Sequence, residues 1–495
     1  MNLKPDSVIL PSDVERGKRA LVQDGAWANV VGTLSGGVML VGLALALGAG
    51  PRLIGVLAAI PFFAQLAQIP AIGLVERIRQ RRKIAVLTIT GGRVLILGMA
   101  CLPLIEDRSL ALGLLVAGQV CVGVLGAVGA CSWNSWMHEF LPREGLGTFF
   151  ARRLFWATSF ALISGLAVGA AVDHWPSSDK ADAYSAAFVM AALAGFVSSW
   201  WLSRVPEPVM APREAQPPLL RALREPFQDP DFRQLIVFMV SWNFATNLAA
   251  PFFTVYLLQQ LGFGMGEVVV LWAVSQLANA LTLGLWGRLS DQLSNKSILG
   301  LAAPVFLGCV LALPFSALPE RHAYTFPILI LIHAMMGAAT GGTGLAVGNI
   351  GLKMAPSGRA TAYLAAVSLS GSLAAGIAPI VGGLFAEWFA AREFSLVIHW
   401  MAPEEDLQAV AMRLRNWEFF FVFAFLLGLY ALHALTLLRE GAEASDRNVV
   451  RQFRLELRRS MRSLSSVGGL RVATAFPVGR FVDRDPGAPQ EDARA

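Results

Sequence analysis

Residues 73–82 read Gly73-Leu74-Val75-Glu76-Arg77-Ile78-Arg79-Gln80-Arg81-Arg82, and residues 287–296 read Gly287-Arg288-Leu289-Ser290-Asp291-Gln292-Leu293-Ser294-Asn295-Lys296. Each is a short polar loop between two long apolar runs. The interval between them recurs: Trp27 matches Trp242, Glu76 matches Asp291 and Asn134 matches Asn349 (242 − 27 = 291 − 76 = 349 − 134 = 215). Pro142 and Pro356 follow at an offset of 214 (356 − 142 = 214). Repeated loop punctuation with apolar filling predicts two homologous halves of membrane-spanning helices. Alternating access needs two such bundles that rock about one site.

Composition agrees. The 495 residues are 55% hydrophobic and 15% charged, with a mean hydropathy of +0.57. An average soluble chain carries roughly 25% charged residues. The 4 cysteines, Cys101, Cys121, Cys131 and Cys309, sit in apolar runs without a short-spacing pair, so they predict core side chains rather than a disulfide framework or metal site. The mixed polar start, with Pro5 and Pro11, does not resemble a cleavable signal, so the first span is expected to direct its own insertion.

A helix needs roughly 20 apolar residues to cross hydrocarbon. Twelve such stretches are expected, near 24–48, 52–75, 84–104, 110–138, 149–172, 184–203, 233–260, 266–286, 297–317, 324–352, 361–389 and 417–438. The predicted fold is an all-α membrane protein of two pseudo-symmetric six-helix bundles. The expected divisions are a first bundle over 1–203, a Pro-rich central loop over 204–232, a second bundle over 233–440 and a basic tail over 441–495. The loops on the side of the termini carry Arg77, Arg79, Arg81, Arg82, Lys83, Arg152 and Arg153 among others. Those opposite carry only Arg52, Arg108, Lys180, Arg321, Arg392, Arg413 and Arg415. The basic side is expected to face the cytoplasm, with both termini there and the chain in an inner membrane.

Two segments fall outside this plan. Residues 390–416 are long for an outer loop. Ala402-Pro403-Glu404-Glu405-Asp406 reads as a helix start, because proline suits the first turn and acids suit its dipole. A short surface helix is expected there, as a partial lid or an inert insertion. In the tail, Arg447, Arg451, Arg454, Arg458 and Arg462 lie on one helical face and Val450, Phe453, Leu457, Met461 and Leu464 on another. That pattern suits an amphipathic helix lying on an anionic leaflet.

The two loops resemble the signature G-x-L-x-D-R-x-G-R-R of the major facilitator superfamily, and the likeness extends over about residues 20–440. There are departures: Glu76 stands for the usual aspartate, Ile72 occupies the first glycine's place, and no basic residue follows Asp291. The resemblance implies a 12-helix secondary transporter with a rocker-switch cycle and a cavity lined by spans one, two, four, seven, eight and ten. It also implies that Glu76 and Asp291, with Arg77 and Arg81, act as conformational latches. A carboxylate at a helix end does accept hydrogen bonds from arginine or a helix N-terminus. Glu139, expected to pair with Arg152 or Arg153, joins this set of gating residues. The fifth span has Gly165 and Gly169 but no proline, and so lacks the antiporter-type motif of exporter subfamilies. In the eleventh, Gly371, Gly376, Pro379, Gly382 and Gly383 permit close helix approach and a kink.

Charges inside membrane helices are costly and functional by default. Arg93 is deep in the third span, where it meets a substrate anion, pairs with an acid such as Glu139, or snorkels. His333 can carry a proton or be a satisfied core side chain. Neutral amides supply the remaining cavity candidates: Asn29, Gln65, Asn134, Asn243, Asn247, Gln276 and Asn349. Trp27, Trp133, Trp136, Trp242 and Trp272 are stacking walls or interface anchors. Proton coupling, if it operates, has to use edge acids such as Asp24 and Glu267, or His333. No metal-ligand spacing, phosphate loop or nucleophile elbow appears, so neither cofactor, metal nor enzyme activity is expected. The net charge of +6 follows from loop topology and not from nucleic-acid binding. The expected partners are a small-molecule solute and the lipid bilayer, with the chain a monomer. The alternative is a transporter-shaped scaffold that binds a membrane partner without flux.

Overall fold

The computed structural model describes residues 3, 5–6, 9–142, 146–176, 180–210, 224–317, 321–356, 360–402, 405–415 and 417–440. The predicted amphipathic tail helix lies outside these residues. Twelve helices are long and apolar enough to cross a membrane: Pro11–Ala46, Pro51–Ile78, Arg81–Leu104, Arg108–Phe140, Arg152–Asp173, Ala181–Leu202, Pro230–Gln260, Met265–Ser290, Asn295–Phe315, Thr325–Gly351, Tyr363–Phe389 and Trp417–Thr436. These are spans 1 to 12 below. Span 1 starts well before the expected residue 24, because its polar first turns continue the helix beyond the apolar run.

The contacts are those of two copies of one unit. Span 1 packs on spans 5 and 6, span 3 on 4 and 6, and span 2 on 4. Adding six to each number gives the second half: span 7 on 11 and 12, span 9 on 10 and 12, span 8 on 10. The halves meet where span 2 crosses span 11 and where span 5 crosses span 8, which the same operation exchanges.

Between spans 11 and 12 the expected short helix is a β-hairpin. Strand β1, Glu393–Ala402, pairs antiparallel with β2, Glu405–Arg415. The helix-start signal at 402–406 straddles the last described pair of the hairpin, Ala402 opposite Glu405. Either side of it the residues alternate, as in Phe394, Leu396 against Ser395, and Met412, Leu414 against Arg413, Arg415. That period of two selects strands. At the base, Glu393 lies opposite Arg415, with Arg415 Nε 3.0 Å from Glu393 Oε2.

Candidate functional site

Span 1 breaks at Gly36 and Gly37. Gly36 is extended (φ −129°, ψ −172°), and Gly37 takes a left-handed φ of +47°, which favours glycine. The piece beyond the break, Gly37–Ala46, has 10 residues, roughly 15 Å at the helical rise. That is about half of a ~30 Å hydrocarbon layer. Counting back from Ala46, the break falls near mid-membrane. Non-helical backbone at that depth is tolerated where it lines a cavity.

A cavity of about 330 Å³ is there. It lies between the halves, lined by Asn29, Thr33, Gly36 and Gly37 from span 1, Thr158, Leu162 and Gly165 from span 5, and Trp272, Gln276 and Leu277 from span 8. No charged side chain is among its described walls. The Asn29 amide donates to the Gly25 carbonyl at 3.2 Å, leaving its oxygen as an acceptor. Gln276 makes no hydrogen bond among the described residues, so its amide keeps donors and an acceptor for a solute.

On the side away from the basic loops, the halves are closed against each other. Asp173, ending span 5, accepts from the backbone N–H groups of Met265 and Gly266, both at 2.6 Å, and so caps the helix of span 8 from the other half. Arg52 of span 2 pairs with Glu387 of span 11. Glycines set the approach: a Cβ on Gly55 would stand 2.2 Å from the Pro379 carbonyl oxygen, and one on Gly383 2.7 Å from that of Pro51. One apolar cluster runs across this seam, joining Ile54 and Leu57 to Leu248, Ala378 and Ala386.

At the basic end each half has its own core. One centres on Leu21, Ala85 and Trp136, the other on Phe232, Leu289 and Leu299. Each is tied to itself by a carboxylate on a helix N-terminus. Glu207, after span 6, accepts from the backbone N–H groups of Arg81 and Arg82 at 2.6 and 3.1 Å. Glu440, after span 12, accepts from those of Asn295 and Lys296 at 3.1 and 2.6 Å. The Arg81 guanidinium is fully buried, 2.8 Å from Glu139 and 3.5 Å from Glu207, and donates to the Ser135 and Pro208 carbonyls. Asp6 completes the first cluster by accepting from the Glu207 N–H at 3.2 Å. Burial pushes the Glu207 carboxyl above its usual range, against the pull of the two N–H donors and of Arg81 and Arg82.

Glu139 thus pairs with Arg81, not with Arg152 or Arg153 as expected. Arg153 instead reaches Asp24 at 3.5 Å, and Ser198 donates to the same carboxylate at 2.7 Å. Asp24 stands at the basic end of span 1, as expected, but is buried within the first bundle, 5% exposed. Arg93 faces this cluster from span 3 and lies against Gly195 of span 6, inside the first bundle and away from the cavity. His333 is 6% exposed, and its Nδ1 lies 2.8 Å from its own helix's Leu329 carbonyl, as in a core histidine.

Asn29 and Gln276 are the predicted candidates that line the cavity, with Trp272. Asn243 and Asn247 donate to Met239 and Asn243 carbonyls one turn back. Gln65 bonds Gln68, and Asn134 and Asn349 are exposed. Glu76 is half-buried and Arg77 exposed at the end of span 2. Asp291 lies on the last turn of the helix Met265–Gln292, and its side chain is outside the described set. Asp173, Glu207, Glu440 and Thr158 were not anticipated. Val205-Pro206-Glu207-Pro208, an acid between prolines at a span's end, was the one available signal.

Most of the chain resembles solved transporters in fold. A nucleoside transporter, NupG, has a TM-score of 0.67 at 12% identity, covering 85% of this chain and 99% of that one. A D-xylose–proton symporter has a TM-score of 0.60 at 16% identity, covering 86% and 97%. An inward-facing bacterial homologue of the human lysosomal transporter Spinster has a TM-score of 0.57 at 18% identity, covering 77% and 84%. No curated protein sequence matches. The family model described as Major Facilitator Superfamily matches residues 26–379, most of the chain, so this protein belongs to the major facilitator superfamily.

Proposed function

We propose that this chain is a secondary transporter of the inner membrane that moves a small organic solute by alternating access, its basic end and both termini in the cytoplasm. The bundles are 1–203 and 233–440, joined by 204–232 and followed by the tail 441–495. The observation that carries the reading is the cavity beside the broken span 1, sealed on one side by Asp173, Arg52–Glu387 and the glycine crossings. With separate cores at the basic end, this is the state open to the cytoplasm.

The solute is neutral, ring-bearing and rich in hydroxyls, of the nucleoside or sugar class. Uncharged walls, amides at Asn29 and Gln276, hydroxyls at Thr33 and Thr158 and the face of Trp272 support this class. The volume lies at the small end of the ~300–1,000 Å³ usual for small-molecule sites. Transport of nucleosides by one fold neighbour and of xylose with protons by another is consistent with it. Uptake of labelled nucleosides and pentoses into proteoliposomes tests it. Gln276→Ala should lower that uptake. Flux of organic anions or cations with none of neutral solutes would refute it.

Coupling to protons, if the flux proves concentrative, is assigned to Asp24, the carboxylate buried at the basic end of span 1 and held by Arg153 and Ser198. Asp24→Asn should then abolish proton-driven accumulation and leave solute exchange. Accumulation that survives Asp24→Asn sinks that assignment.

A further inference from the structure

We propose that a groove on the flank of the first bundle, between spans 5 and 6 at the basic end, binds one anionic phospholipid of the adjoining leaflet. Spans 5 and 6 each pack along span 1 but touch each other little, which leaves an open groove of about 910 Å³ floored by span 1. Its basic end holds Lys18, Arg19 and Arg152 beside Phe149 and Trp201, and its deeper part is walled by Trp156 and Phe160. Glu15 is the single acid among the described lining residues, and it already bonds Lys18 at 2.8 Å. Arg204 adds a further cation beside the mouth, stacked 3.6 Å over Trp200.

The groove is separate from the solute route. Arg152, Trp156 and Phe160 repeat every fourth residue on one face of span 5, whereas Thr158, Leu162 and Gly165 line the central cavity. Two positions along a helix is about 200° around it, so the two sets look in opposite directions. The dimensions suit a lipid. From Arg152 to Phe160 the helix rises roughly 12 Å, close to half of a ~30 Å hydrocarbon layer. Cations with Phe149 and Trp201 at the headgroup level, and Trp156 and Phe160 one and two turns deeper, match an anionic head above an acyl chain. A soluble anion would meet the cations but leave the deeper walls of Trp156 and Phe160 uncovered.

The test is native mass spectrometry of the full chain released from nanodiscs of equal phosphatidylglycerol and phosphatidylcholine. Wild type should retain phosphatidylglycerol in preference. K18Q/R19Q should lower that preference about thirtyfold, since each of the two surface cations contributes on the order of 1 kcal/mol toward anionic lipid. R79Q/K83Q removes the same charge from exposed positions outside the groove and should leave the preference unchanged. An unaltered preference in K18Q/R19Q, or an equal loss in R79Q/K83Q, would overturn the site. A second readout needs no variant. Phosphatidylglycerol with a photoreactive acyl chain should label wild-type peptides carrying Trp156, Phe160 or Trp201, and labelling only elsewhere refutes it. Competition by soluble glycerol 3-phosphate as strong as that by the lipid also refutes it.

Discussion

The two ends of the molecule use one device for opposite purposes. At the sealed end, Asp173 of one half caps a helix of the other. At the basic end, Glu207 and Glu440 cap helices of their own halves. In each case a carboxylate meets the exposed N–H groups and positive end of a helix. A bond between halves has to break in every cycle, whereas a bond within a half can persist through it. The sealed end is accordingly made of contacts that separate cleanly, and the basic end of buried, interlocked ones.

The sharpest way to break this contrast is Glu207→Ala. It leaves a fully buried Arg81 guanidinium with Glu139 as its one remaining carboxylate and strips the acceptor from the Arg81 and Arg82 N–H groups, and removing one partner of a buried pair costs about 3–5 kcal/mol. The expected outcome is a much lower melting temperature for the purified protein. A shift in which side is accessible, with stability intact, would mean that this cluster is a gate after all. Next comes Gly55→Val, whose Cβ would collide with the Pro379 carbonyl. Overpacking costs about 1–3 kcal/mol, felt only in the sealed state. A cysteine at Leu277 should then become more reactive toward an impermeant thiol reagent from the far side. Asp173→Ala should act in the same direction more weakly, by about 0.5–2 kcal/mol for a lost cap, again read by that cysteine. Arg52→Gln should be smallest. Arg52 and Glu387 are both exposed, and such pairs contribute about 0–1 kcal/mol, so accessibility should barely move.

The architecture was legible because it is written locally. Apolar length sets a span, and the interval from Glu76 to Asp291 reveals the duplication without any tertiary knowledge. The caps were not, because each couples distant residues: Glu207 lies 126 positions from Arg81, Asp173 lies 92 from Met265, and Glu440 lies 145 from Asn295. A helix N-terminus advertises its need for an acceptor but not which segment supplies it. Arg81 was singled out for its motif position, and its partners Glu139 and Glu207 come from other helices. The partners of Asp24 were hidden for a related reason. Its place at the start of the apolar run puts it at an edge, but only the packing against spans 5 and 6 shows that it is buried there with Arg153 and Ser198. The hairpin was hidden by a helix-start signal that outweighed the alternation flanking it. Among the amides, Asn29 and Gln276 reached the cavity because their helices border the seam between halves.

The interruption at Gly36 and Gly37 makes span 1 two rods and not one. Its upper ten residues pack on span 6 and touch spans 7 and 8 of the opposite half, while its lower part lies along spans 5 and 6. The short rod thus touches both bundles, while the long one belongs to the first. On the proposed cycle, a solute bound beside the joint would press on both bodies at once.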